Sequence, residues 1–264
     1  MGGIDHTLWG YLSGVNRERA AVTPSVPGMD LIDALRTTGA VREFTPEPVP
    51  DAVLARVLDT ARFAPSGGNR QGWRVVVIRD GAIRRRLRDL YLDGWYEYLA
   101  MTVAGLTPWG PLSDRRAEAE ALAAAPLLAE QAAAGGAGRR GFAERLDEVP
   151  VLLAVFADLE ALAAVDRDLD RYTMAGGASI YPFTWNLLLA ARAEGLGGVV
   201  TTMPIRREAD VKALLGAPDE LALAAVVALG HPVRQPRRLA RAPVEAWATV
   251  DRADGPPFRA SPAT

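Results

Sequence analysis

The sequence predicts an α/β or α+β sandwich built on a single sheet, and three observations predict it. Four short apolar, β-branched runs bounded by turn residues alternate with stretches of helical periodicity, the pattern of a layered sheet-and-helix domain. Two of the helical stretches present one continuous apolar face, so each has a surface to cover. The chain of 264 residues is 49% apolar, ordinary for a globular protein, and has no apolar run of the roughly 18–20 residues that cross a membrane. A chain of this length buries about 70–75% of the surface its unfolded form exposes, so it needs neither disulfide nor metal to hold a core.

The elements follow in order. Residues 1–28 read as an N-terminal extension ending in Pro24 and Pro27. Asp30 caps a short helix over 31–36. A turn through Thr37, Thr38 and Gly39 leads into an extended stretch with Pro46, Pro48 and Pro50. The next helix covers 51–62, with Val53, Leu54, Val57, Leu58 and Ala61 on one face. A loop of Pro, Ser, Gly and Asn spans 64–72, and WRVVVIR over 73–79 is a buried strand. Residues 81–148 contain no strand signal and read as a helical excursion between two strands. It comprises a helix over 83–99 ending in Trp95, Tyr96 and Tyr98, a break at Pro108, Trp109 and Pro111, an alanine-rich helical stretch over 113–134 interrupted at Pro126, and a glycine-rich basic loop over 135–141. The second strand is VPVLLAVFA, 149–157. A long helix over 179–194 aligns Ile180, Phe183, Thr184, Leu187, Leu188 and Ala191, and Gly195 stops it. Strands over 198–203 and 222–229 flank a helix over 208–215. After Pro232 the chain is proline-rich and reads as an extended arm. The domain proper spans 29–247, with 248–264 as a tail. No internal repeat of 20–50 residues occurs.

Composition removes whole classes of chemistry. There is no cysteine, and the two histidines are His6 and His231. Disulfide scaffolds, zinc knuckles, iron–sulfur clusters and thiolate nucleophiles are excluded, and no metal site is expected. Net charge is −2, which gives no electrostatic footprint for nucleic acid or an anionic membrane. Residues 1–19 lack a long apolar core and do not read as a secretory signal, so a cytoplasmic location is the default expectation. Of 30 basic residues only Lys212 is lysine, so any phosphate site must be built from arginine.

Six candidate features each have a functional and a plainer reading. GAGRRG, 136–141, spells G-x-G-x-x-G but follows a helix instead of a strand, so a loop is favoured over a dinucleotide fingerprint. Asp166, Asp168 and Asp170 alternate and do not converge on a helix face, so a solvated turn is favoured over a metal site. No G-x-S-x-G occurs, and Ser66 lacks the setting of a hydrolase nucleophile. The loop APSGGNRQGW, with Pro65, Ser66, Gly67, Asn69 and Gln71, offers free backbone and polar side chains to a flat polar ligand, or is an ordinary helix-to-strand turn. Arg36 and Arg42 flank Thr37 and Thr38, while Arg237, Arg238 and Arg241 sit in the arm. Guanidinium forks with hydroxyls match phosphate oxygens, against the plainer reading of solvated surface charge. The run GLGGVVTTM, 195–203, brings Thr201, Thr202 and Met203 to the end of a strand, where backbone can approach a ligand or simply turn.

Taken in this order, the segments resemble the FMN-dependent nitroreductase family. APSGGNRQGW before a VVVI strand is similar to the family's A-P-S-x-x-N-x-Q-P-W. SIYPFTWNLLLAARAEGLGG resembles its long core helix, RTTGAVREF its basic flavin-binding stretch, and LGHP followed by Pro243-Val244-Glu245 its last strand and arm. The match covers roughly 30–80 and 149–247. Three features depart from the pattern. Thr38, Gly39 and Ala40 stand where members often have two basic residues and a serine, Gly72 replaces the usual proline, and residues 81–148 are longer than the usual insert.

The resemblance implies an α+β three-layer sandwich with a central, mostly antiparallel sheet, in a homodimer with FMN at the subunit interface. It implies that Arg36, Thr37, Thr38, Arg238 and Arg241 hold the phosphate and ribityl chain, and that Arg42 lies near the flavin N1/O2 edge. Pro65, Ser66, Gly67, Asn69 and Gln71 come from the partner, and Thr201, Thr202 and Met203 face the N5/O4 edge. NAD(P)H would be the reductant and a small aromatic molecule, a nitroarene or quinone, the acceptor, with Trp95, Tyr98 and Trp109 near it. The cofactor carries the chemistry, so no catalytic side chain is assigned. Two alternatives stay open: another flavin chemistry on this fold, dehydrogenating or flavin-fragmenting, and a non-catalytic flavin-binding protein.

Overall fold

The computed structural model of the chain describes residues 29–135 and 141–260. The N-terminal extension and most of the glycine-rich basic loop lie outside the described residues. The elements run α1 (Leu31–Thr37), α2 (Asp51–Ala61), β1 (Trp73–Val77), α3 (Gly81–Val103), α4 (Arg115–Leu122), α5 (Ala125–Ala134), β2 (Val151–Asp158), α6 (Tyr181–Ala193), β3 (Gly197–Thr201), α7 (Glu208–Leu215) and β4 (Leu221–Gly230). Every strand and long helix predicted from periodicity is present. The ends differ for local reasons. α3 starts two residues early because Asp80 accepts the N–H groups of Ala82 and Ile83 at 2.8 and 2.9 Å, an N-cap. The alanine-rich stretch is two helices, and Pro126 sits in the first turn of the second, where its missing N–H costs nothing. Residues Ala175–Ser179 form a separate 3₁₀ turn ahead of α6.

The four strands lie in the order β1-β2-β4-β3, and every neighbouring pair is antiparallel. β2 and β4 are central and covered on both faces, which explains their unbroken apolar runs. Successive side chains on β2 point to opposite faces. Val151, Leu153, Val155 and Ala157 pack with Leu54 and Val57 of α2 and Phe183 and Leu187 of α6. Leu152, Ala154 and Phe156 pack with Leu87, Leu90 and Tyr91 of α3 and Val211 of α7. The result is three layers, helix–sheet–helix. On the first face Trp73 stacks on Phe183 with ring centroids 4.8 Å apart and 7° between planes.

β3 is an edge strand, and an exposed edge invites pairing with another chain. Here the lead-in to the fold covers it: Val41 N–H donates to Gly198 O at 2.8 Å, in a parallel bridge between Ala40 and Gly198. The chain leaving β4 returns beside the same lead-in. Thr45 N–H donates to His231 O at 2.9 Å and Val233 N–H to Glu43 O at 3.0 Å. Gln235 Nε2 donates to Thr37 O at 3.4 Å. Gly39 is where the two segments press closest. A Cβ there would lie 2.8 Å from Leu239 Cδ2 and 3.1 Å from Pro236 Cγ, so any side chain at this position would have to displace Leu239. Gly72 has a similar cause, because a Cβ would stand 2.9 Å from the Ala161 methyl.

The solvated turn expected for Asp166, Asp168 and Asp170 holds for the last two only, which are exposed. Asp166 is buried. It accepts the N–H of Met174 at 2.6 Å and of Ala175 at 3.2 Å, and the Arg171 guanidinium at 2.9 Å. The Met174 N–H is the main reason its carboxyl is held down to about 2. A short acid that captures two successive backbone donors folds inward; the alternation pattern alone could not show this. Among the described residues no three His, Asp or Glu side chains stand close enough to hold a metal ion, and no helix is long and apolar enough to cross a membrane.

Candidate functional site

Two cavities collect most of the residues singled out in the sequence. The first, of about 640 Å³, is lined by Arg42, by Tyr91, Trp95, Tyr98 and Leu99 of α3, by Phe142 and Glu144, and by 199–203 at the end of β3. α3 is long enough to present Tyr91, Trp95 and Tyr98 along one side at helical spacing. Trp95 and Tyr98 stack at 5.6 Å and 7°, and Tyr91 meets Phe142 edge-on at 6.3 Å. Tyr91 and Thr201 line this cavity together, and Thr201 Oγ1 accepts the Met203 N–H at 3.4 Å. Burial raises the Tyr91 phenol above its ordinary value, and the neighbouring Thr201 hydroxyl and Arg42 charge partly offset that. Glu144 accepts the Tyr96 hydroxyl at 3.3 Å and the Gly141 N–H at 2.8 Å.

The second cavity, of about 800 Å³, is lined by Asp33, Arg36, Thr37, Thr38, Trp185, Arg237, Arg238, Leu239 and Arg241. Its guanidiniums come from two segments 200 residues apart, joined by the pairing of lead-in and arm. None of Arg36, Arg237, Arg238 and Arg241 forms an ion pair among the described residues, whereas Arg56, Arg74, Arg79 and Arg88 each hold a carboxylate within 3.0 Å. Thr38 is buried and its Oγ1 has no hydrogen-bond partner. A hydroxyl without a partner beside guanidiniums without carboxylates is a donor set suited to a phosphate. The arm thus adds three guanidiniums to the one that the lead-in supplies.

The remaining candidates lie elsewhere. Trp109 does not line the aromatic cavity. It stands one ring behind, 6.3 Å from Tyr98, with the Arg206 guanidinium 4.8 Å over its face. Pro65, Ser66, Gly67, Asn69 and Gln71 line neither cavity of their own chain. Ser66 Oγ accepts the Gln71 N–H at 3.0 Å, and Gly67 N–H donates to Ser179 Oγ at 3.0 Å. Asn69 and Gln71 hold left-handed backbone at φ 53° and 51°, a cost that non-glycine residues bear where structure over-determines them. Gly67, Asn69 and Gln71 are exposed.

Sequence reasoning missed Tyr91, Phe142, Glu144 and Trp185. Trp185 carried a signal: it is an aromatic residue off the core face of α6, and it is 38% exposed. Tyr91 and Glu144 carried none, since one sits on a buried helix face and the other in a polar turn.

The model of the nitroreductase family matches residues 35–231, and the chain belongs to the nitroreductase family. It is 32% identical over 223 residues to a protein named NADH dehydrogenase of Thermus thermophilus, covering 84% of this chain and 96% of that one. It is also 32% identical over 208 residues to 5,6-dimethylbenzimidazole synthase of Rhodospirillum rubrum, covering 75% and 82%. Among solved structures, iodotyrosine deiodinase bound to FMN and 3-iodo-L-tyrosine superposes with a TM-score of 0.54 at 26% identity, over 81% of this chain and 96% of that one.

Proposed function

We propose that the protein is an FMN-dependent oxidoreductase that takes electrons from NAD(P)H and delivers them to a small aromatic acceptor, a nitroarene or quinone. One observation carries this reading. A seven-residue lead-in puts Arg36, Thr37 and Thr38 into the arginine cavity and Arg42 into the aromatic one. A ligand with an anionic tail and a flat ring matches that pair of cavities, and FMN is such a ligand.

In this reading Arg36, Thr37, Thr38, Arg238 and Arg241 hold the phosphate and ribityl chain. Arg42 stands by the N1/O2 edge, where its charge favours an electron-rich ring. The backbone of Thr201, Thr202 and Met203, braced by Tyr91, faces the N5/O4 edge. Trp95 and Tyr98 offer a flat surface to the acceptor, and Trp109 backs Tyr98. When bound, the flavin supplies two-electron redox chemistry, so the protein needs to bind, orient and exclude water. Pro65, Ser66, Gly67, Asn69 and Gln71 serve the site of a second copy. A homodimer is supported by α1, which buries none of its side chains and exposes Leu31, Ile32 and Leu35. The functional domain is 29–247, acting in the cytoplasm.

Purified protein should be yellow and dimeric and should oxidise NADH or NADPH when a nitroarene is present. Colourless protein that takes up no added FMN would sink the reading. A second reading, another flavin chemistry on the same fold, is favoured by the equal identity to a protein named 5,6-dimethylbenzimidazole synthase. Destruction of bound flavin during turnover in air, with poor nitroarene reduction, would select it.

A further inference from the structure

Residues 65–71 form a loop whose shape and whose place in the fold have different causes. Its shape is local. Ser66 Oγ accepts the Gln71 N–H at 3.0 Å, Gln71 Nε2 donates to Asn69 Oδ1 at 3.3 Å, and the Asn69 N–H donates to Ser66 O at 2.9 Å. These bonds hold Gly68, Asn69 and Gln71 in left-handed backbone at φ 60°, 53° and 51°. Residues other than glycine bear that strain only where their surroundings enforce it, and such strain gathers at ligand-clamping loops. The place of the loop is set from further away. Its ends are fixed by Ala64, buried just past α2, and by Gly72 O, which accepts the Asp158 N–H at 2.7 Å. Between those ends, one hydrogen bond among the described residues ties the loop to a distant part of the chain. Gly67 N–H donates to Ser179 Oγ at 3.0 Å, across 112 positions.

Ser179 is itself held from two sides. It closes the 3₁₀ turn Ala175–Ser179. Upstream, the buried Asp166 carboxylate accepts the N–H groups of Met174 at 2.6 Å and Ala175 at 3.2 Å. Downstream, Ile180 is buried in the core just ahead of α6. A hydroxyl fixed on both sides can aim a loop, whereas one on a loose turn cannot. The same helix brings Trp185 to the arginine cavity of its own chain. One rigid element therefore fixes a wall of one candidate flavin site and, through Ser179, the loop offered to the other.

We propose that Ser179 is a positioning residue for flavin binding across the dimer: by holding Gly67, its hydroxyl sets the loop 65–71 of one copy against the flavin of the second. The proposal rests on reading residues 65–71 as the loop that serves the site of a second copy. Gly67 is exposed, so water takes over its N–H when the hydroxyl is removed. The loss then falls on placement of the loop, and folding is spared.

Ser179→Ala should weaken FMN binding about three- to tenfold, the worth of one hydrogen bond, with thermal unfolding of the FMN-free protein unchanged. Ser179→Thr keeps the hydroxyl and should bind FMN as wild type does. The relation across the dimer is read from a mixed dimer, made by co-expressing differently tagged Ser179→Ala and Arg241→Ala chains. If the loop serves the partner, both lesions fall on one site, and the other site pairs an intact arginine cavity with an intact loop. Fluorescence titration should then show half of the sites binding FMN with wild-type affinity. The proposal is overturned if Ser179→Ala binds FMN as wild type does, if Ser179→Thr is as weak as Ser179→Ala, or if every site of the mixed dimer is weakened. Wild-type protein that takes up no FMN would strike the flavin reading itself and take the proposal with it, a result distinct from those three.

Discussion

The aromatic cavity and the arginine cavity are assembled by opposite strategies. Three of the aromatic walls, Tyr91, Trp95 and Tyr98, come from one helix, α3, at helical spacing, so local periodicity brings them together. The guanidiniums of the arginine cavity come from the lead-in and the arm, and only tertiary pairing joins them. The electrostatics differ in the same way. On the aromatic side Tyr91 is buried, and Arg42 and Glu144 are the charged groups. On the arginine side the cations are exposed and hold no carboxylate among the described residues, whereas Arg56, Arg74, Arg79 and Arg88 each hold one.

The strongest way to break this contrast is to remove a core side chain beneath one cavity. Phe183→Ala should cost about 3–5 kcal/mol, because the ring is buried, stacked on Trp73, and on the same helix as Trp185. Chemical denaturation would measure it, and near wild-type stability would refute the packing account. Next in size is Arg241→Ala, which should weaken FMN retention about tenfold to a hundredfold with little change in stability. Unchanged flavin affinity would remove Arg241 from the phosphate site. The converse probe, the double substitution Trp95→Leu and Tyr98→Leu, should raise KM for the aromatic acceptor about two- to tenfold, the worth of an aromatic contact. It should leave FMN affinity intact; a parallel loss of both would mean the two cavities are not separable.

The smallest effect tests the support behind the exposed loop. Asp166 holds Met174 and Ala175 ahead of the turn that carries Ser179, and Ser179 accepts from Gly67. Its carboxyl sits at about 2 against an ordinary 3.8. Because the folded value is the lower one, the contribution of Asp166 is full above about pH 4 and is lost as pH falls toward 2. The stability gap between wild type and Asp166→Asn should therefore be widest near neutrality and close in acid. A gap that did not change with pH would mean Asp166 acts by shape alone.

Much of the fold was legible because its elements carry their own signals. The four strands are bounded apolar runs, α2 and α6 have continuous apolar faces, and the excursion between β1 and β2 lacks any β-branched run. Helix ends were less legible where a cap such as Asp80 competes with periodicity. Of the candidate site, the lead-in, the 201–203 segment and the arm arginines were marked by residue type, and the chain's near-absence of lysine narrowed the candidate phosphate ligands to arginine. The sequence by itself therefore determined the elements, the family and the kinds of side chain available. Tertiary structure alone decided which of them meet. It set Gly39 against Leu239 and so brought the arm arginines beside Arg36. It also turned Asp166 inward and brought Tyr91 to Thr201. The physical reason is that pairing across the β3 edge, and the packing on either side of the sheet, depend on contacts between residues far apart in the chain, which no local pattern encodes.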